Sequence, residues 1–138
     1  MLKKPMTTPQ KIALGYFVIL AFVAGLNYIP GFKDDQGLIC GVFELDIADD
    51  LLHLGSALWA FLGAILSRRA AVFYLIAFGA IYLGDGLLGL ATGSGYLDLG
   101  IWRWGVQDLS FGFKIAANTP HIVLGGVAFL SGLKFRRA

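Results

Sequence analysis

Charge is scarce in this chain, and it is missing in blocks. Only 14% of the 138 residues are Asp, Glu, Lys or Arg. Four stretches hold almost none of them: Ile12–Ile29, Leu51–Ser67, Ala70–Thr92 and Ile115–Leu133. The net charge of +2 is too small to suggest a nucleic-acid partner. Cys40 is the one cysteine, so no intrachain disulfide can form. Leu38-Ile39-Cys40-Gly41 has a faint look of a lipoprotein cleavage box, but Lys33, Asp34 and Asp35 part it from the first apolar run. A loop or interface cysteine is the plainer reading. The chain has no Walker loop, CxxC pair, HExxH step or Ser/His/Asp nucleophile set. No cofactor is therefore named by a motif.

What fills the chain is apolar: 57% hydrophobic residues, with a mean hydropathy of +0.73. About 20 apolar residues in a helix, at 1.5 Å each, cross the roughly 30 Å hydrocarbon core of a bilayer. The sequence predicts an all-α, integral membrane four-helix bundle, one transmembrane domain over residues 1–138, with the lipid bilayer as its first partner. Little length is left for a soluble catalytic domain, so chemistry would sit between helices or in the two longer loops. Lys3, Lys4 and Lys11 precede the first run as they would in a signal peptide, and Val23-Ala24-Gly25 is the nearest thing to a cleavage site. The run is long for a signal and lacks an Ala-x-Ala step, so it reads as an uncleaved first span.

Charge placement predicts the topology. With the N-terminus in the cytoplasm, Lys3, Lys4, Lys11, Arg68, Arg69, Lys134, Arg136 and Arg137 lie inside, and only Lys33, Arg103 and Lys114 lie outside. Eight basic residues against three satisfy the positive-inside rule, with both termini cytoplasmic in a cell (inner) membrane. Arg68-Arg69 makes a tight inner turn. The first outer loop, about Pro30 to Asp50, is acidic, and its Gly41–Leu45 piece is a candidate to fold back onto the membrane surface. The second, about Gly93 to Lys114, carries Trp102, Trp104, Phe111 and Phe113, and Leu99–Phe113 reads as an interfacial segment.

The chain also looks duplicated. Aligning His53 with His121 lays Asp50-Leu51-Leu52-His53 over Asn118-Thr119-Pro120-His121, Phe61-Leu62 over Phe129-Leu130, and Arg68-Arg69-Ala70 over Arg136-Arg137-Ala138. Two helical hairpins in parallel repeat are expected. Asp50 and Asn118 are suited to cap their helices, and Pro120 to a first turn, which would put both histidines in a first turn near the outer interface.

On these two steps, Asp50-Leu51-Leu52-His53-Leu54 and Asn118-Thr119-Pro120-His121, each followed by a Gly- or Ala-rich apolar helix, the chain resembles a bacterial family of small four-span membrane proteins catalogued as domain of unknown function 4383. The resemblance covers nearly the whole chain. It implies an architecture and a membrane location, and it implies no activity.

His53 and His121 are the only histidines. If the second and fourth helices stand diagonally, the two rings could meet. They could then bridge helix ends and loop carbonyls, ligate a haem or metal ion, or relay a proton. Asp85 is the one charge deep in a span, about seven residues or roughly 10 Å from the outer end. Such a carboxylate needs a partner, protonation or hydration, and is a functional-site candidate. Its candidate partners are His53, His121, Tyr16 and Asn27. The plainer alternative is an aspartate that sets helix register. Small residues four apart at Ala60/Ala64, Ala80/Gly84, Gly89/Gly93 and Ala128/Gly132 favour close helix packing first and homo-oligomer contacts second. Trp59 and Phe61 read as packing. The leading functional expectation is a non-enzymatic structural or partner-binding membrane module. A haem- or metal-binding redox protein using His53 and His121, or a proton-coupled transport component using Asp85, stands beside it.

Overall fold

The computed structural model describes residues 4–137, and among these the regular structure is helical. Five α-helices follow in order: α1 Thr8–Gly25, α2 Ile47–Leu66, α3 Arg68–Thr92, α4 Gly100–Trp104 and α5 Phe111–Phe135. A 3-10 turn, Leu26–Tyr28, extends α1. Four of the five are long and apolar enough to cross a membrane, and α4 is a short piece in the second long loop.

Local chemistry sets the helix ends. Thr7 opens α1: its backbone N–H and its hydroxyl both donate to Gln10 Oε1, while Gln10 Nε2 donates to Ala64 O and ties the start of α1 to the end of α2. Asp46 caps α2 by accepting from Ala48 N and Asp49 N, and Asp49 returns a bond from Asp46 N. These donors, Asp49 N–H foremost, hold the Asp46 carboxyl below the usual carboxylate range. Ser67 ends α2 and caps α3 through Ala70 N, so two antiparallel helices are joined by a single residue. Gly93 closes α3 with φ of 80°, a left-handed conformation that costs glycine nothing.

The most extensive pairing is α3 with α5, followed by α1 with α2, while α2 with α3 is smaller. Helices α2 and α5 have little or no direct contact and stand across the bundle from each other. Between them runs an aromatic ladder on α3: Tyr74, Phe78 and Tyr82 stack at 5.0 and 4.1 Å, and Tyr16 of α1 meets Phe78 edge-on at 5.5 Å. Ala57, Ala60 and Ala64 let α2 come close to this ladder. The α3–α5 seam is closer still. A Cβ on Gly79 would lie 2.3 Å from Phe129 N, and one on Gly125 2.3 Å from Leu83 N. Backbone therefore meets backbone there. Of the small residues expected to pack, Ala60, Ala64, Gly89, Ala128 and Gly132 are buried, but Ala80 is exposed and Gly84 lies against the Tyr96 side chain.

Three expectations are corrected. Helix α2 starts at Ile47, so Asp50 does not cap it; the Asp46–Asp49 box forms one turn earlier. Helix α5 starts at Phe111, capped by Ser110 Oγ on Phe113 N, so Asn118 caps nothing and Pro120 lies inside the helix. Asn118 Nδ2 and Thr119 Oγ1 instead donate to the carbonyls of Lys114 and Ile115, on the turn before the proline. Leu99–Phe113 is not one segment: α4 ends at Trp104, a non-helical link follows, and Phe111 already belongs to α5.

Candidate functional site

The two long connections, residues 26–46 and 93–110, lie at one end of the bundle, and the Ser67 turn lies at the other. At the loop end, the first connection folds into a hook. Ile39 pairs with both Lys33 and Phe43, and the side chain of Ile39 is buried. The second connection folds back on α3. Gln107 N donates to Thr92 O at 2.8 Å and Ile101 N to Gly95 O at 2.7 Å. Under these two loops is a cavity of about 430 Å³, bounded by apolar residues including Leu20, Ile39, Leu97 and Leu124, and floored by His53, Tyr82, Asp85 and His121.

Asp85 organises the floor. It is 5% exposed, and its carboxylate receives three partners. Oδ1 accepts from Tyr96 N and Leu97 N, each at 2.8 Å, and Oδ2 lies 2.6 Å from His121 Nδ1. A carboxylate so placed is an acceptor on both oxygens, so Nδ1 of His121 is the donor in this bond. One side chain thus fixes a loop and orients an imidazole. Gly95 makes this approach possible, since a Cβ there would fall 2.4 Å from Asp85 Oδ1. The Tyr96 hydroxyl donates to Ile81 O, clamping the loop to α3 a turn further down. Burial pushes that hydroxyl above its usual pKa, and the neighbouring Asp85 charge adds to the shift.

His53 reaches the same floor from α2. Its ring is 6.3 Å from that of His121, centroid to centroid, at 67°. Tyr82 stands 5.0 Å from His121 and shares a 2.7 Å hydrogen bond with Ser56. His53 is only 7% exposed, and its Nδ1 has no hydrogen-bond partner among the described residues.

Two sequence-derived partners of Asp85 are elsewhere. Tyr16 donates to Leu124 O at 2.5 Å and links α1 to α5 inside the bundle. Asn27 donates to Leu45 O at 2.7 Å and to both carboxylate oxygens of Asp50 at 3.1 Å, with Tyr28 also donating to Asp50. Asn27, Tyr28 and Asp50 form a separate cluster that pins the first loop to α2. Asn118 lines the cavity and packs its amide onto Gly89. Sequence reasoning passed over Tyr82, which shares a face with Asp85 three residues on, and over Tyr96 and Leu97, which act through backbone N–H groups.

Fold and site together define an all-helical chain with four helices fit to span a membrane and a polar-floored cavity between them at the loop end. Comparison with protein-family models, with curated proteins and with solved structures found no match in any of the three.

Proposed function

We propose that this chain is a non-enzymatic module of the cell (inner) membrane that binds a partner molecule in the cavity at its loop end. The observation that carries the reading is the Asp85 carboxylate, which holds the cavity's roof through Tyr96 N and Leu97 N and its floor through His121. Three bonds on one carboxylate suit a fixed binding wall better than a group that must exchange protons during transport, so the proton-coupled reading ranks below it.

Bilayer insertion is supported by side chains that point away from the bundle. Val18, Phe22, Leu58, Phe73, Val127 and Leu130 are all exposed, a surface suited to lipid rather than water. The basic residues at the Ser67 turn and the ends of the chain support an orientation with that end in the cytoplasm and the cavity outside. Duplication of two hairpins is supported by matching buried positions. Ala57, Ala60 and Ala64 of α2 recur as buried Gly125, Ala128 and Gly132 of α5, each 68 residues on. Ala13, Tyr16 and Leu20 of α1 recur as buried Leu75, Phe78 and Tyr82 of α3, each 62 residues on. This is the architecture of the family the chain resembles, and membership in it is part of the proposal. Labelling with a membrane-impermeant thiol reagent tests the reading. It is expected to reach exposed Cys40 from outside intact cells, and a cysteine at cavity-lining Ala117 in a Cys40→Ser background.

A second reading rests on the 6.3 Å spacing of the imidazole rings and the Asp85 bond to His121, the arrangement by which a carboxylate orients a metal-ligating histidine. His53 and His121 would then hold a metal or haem iron whose remaining ligands come from elsewhere, since no group of three or more His, Cys, Asp or Glu is gathered for a metal among the described residues. It predicts stoichiometric metal or a Soret band in protein purified in mild detergent, lost in His53→Ala. A colourless preparation that takes up neither metal nor haem when supplied would remove it.

A further inference from the structure

The cavity's charge is one-sided. Glu44, Asp49, Asp85 and Asp98 line it, and no lysine or arginine does among the described residues. Arg103, the nearest cation on the second loop, lies 4.4 Å over the Trp104 ring and is not part of the lining. The carboxylates are partly used by the fold. Asp85 is committed to three bonds, Asp98 Oδ1 accepts from Gly100 N, and Asp49 Oδ2 accepts from Asp46 N. Asp49 and Glu44 keep oxygens that no intramolecular hydrogen bond occupies. A low-dielectric cleft lined with one sign of charge concentrates ligands of the other sign.

Three further features narrow the ligand. Phe43, Tyr82, Trp104 and Phe113 line the same space, and aromatic faces attract cations. Most of the remaining wall is aliphatic, and about 430 Å³ is the room of a small organic molecule rather than of a bare ion. Finally, His53 Nδ1 is buried without a partner at the floor. A ligand's polar group can pair with that nitrogen, and an ammonium N–H does so with the tautomer whose proton is on Nε2. An anionic ligand, whether a fatty acid, a phosphate or the two carboxylates of a haem, would meet carboxylates and no lysine or arginine.

Resting on the cavity reading above, we propose that the ligand is a hydrophobic amine: an apolar, aromatic or aliphatic body carrying one protonated nitrogen. The body packs between the two loops and α5, and the ammonium lies toward Asp49, Glu44 and His53.

The test is calorimetric titration of the full chain in lipid nanodiscs with three near-isosteric probes: 2-phenylethylamine, 2-phenylethanol and 3-phenylpropanoate. Hydrogen bonds to charged groups are worth about 1.5–3 kcal/mol, so the amine should bind saturably and about tenfold or more tighter than the alcohol, with no detectable binding of the acid. Glu44→Gln, on an exposed loop position, should cut amine affinity severalfold and leave the alcohol unchanged. Asp49→Asn should cut it further, with thermal unfolding confirming that the Asp46-capped helix survives. Equal binding of amine and alcohol, binding of the acid, or undiminished amine affinity in both variants would each overturn the proposal. So would saturation by none of the three. If the cysteine at Ala117 is nonetheless labelled from outside, the cavity reading stands and only the cationic ligand falls.

Discussion

Asp85 would be costly to keep in an apolar helix unless its charge were met, and three partners meet it. The sequence marks the need for partners but not all of their identities. His121 was legible because histidine is a titratable side chain in the matching half. Tyr96 N and Leu97 N were not, because backbone donors carry no signature in a sequence. Tyr16 and Asn27 looked suitable by type, but each found a nearer acceptor at Leu124 O or Leu45 O. The consequence at this scale concerns the loop. In Asp85→Asn one side-chain oxygen becomes an NH2 donor, and the charge that strengthens all three bonds is gone. Losing charge-assisted bonds of about 1.5–3 kcal/mol should speed amide hydrogen exchange at Tyr96 and Leu97 by about tenfold or more, while amides in the middle of α3 stay protected. Unchanged exchange at those two amides would show that the loop is held by other contacts.

At the scale of the helix, apolar runs located four long helices but misplaced their starts. The first turn of α2 contains Asp49 and Asp50, so hydropathy begins only after them, and three acidic residues within five positions compete for the cap. Asp46 wins because its carboxylate reaches two N–H groups while Asp49 closes the box. In α5 the proline misled. Pro120 suits a first turn, but Ser110 offers an earlier cap and the helix runs on through the proline, at the cost of the bond its missing N–H would make to Ala116 O. The closeness of α3 and α5 was only half legible. Small residues at four-residue spacing were visible, but which face they occupied was not, and Gly79 and Gly125 carry the closest approach of backbone to backbone. Gly125→Ala should therefore cost about 1–3 kcal/mol, as overpacking does, because backbone atoms on α3 cannot rotate away. Gly126→Ala, next along the helix, meets nothing within 4 Å and should be neutral or mildly stabilising. Denaturant unfolding in detergent compares the two, and equal stabilities would mean that the helices are less tightly joined than the seam implies.

The whole molecule follows from where its polar groups are placed. The bundle between its ends is held by alanine, glycine and aromatic packing, and the buried carboxylates and histidine, Asp50, Asp85 and His53, gather at the loop end. Four helices long and apolar enough to span a membrane were legible as runs of apolar residues, and the tight antiparallel turn between the second and third from Arg68-Arg69. The cavity was not, since it depends on residues 39–45 and 93–109 folding over the bundle, and loop shape has no periodic signal. That the floor joins His53 to His121 across the bundle rests on α2 and α5 standing opposite each other. The account predicts a molecule with its charged turn end in the cytoplasm and its ligand cavity open to the outside.

Impermeant maleimide labelling of intact cells tests that claim most directly, because Cys40 is the sole cysteine and lies exposed on the loop beside the cavity. The account predicts that Cys40 reacts without permeabilisation, and that Ala117→Cys in a Cys40→Ser background reacts from the same side. Reaction of both only after the membrane is opened would contradict the orientation. Reaction of Cys40 with no access to position 117 from either side would contradict the open cavity.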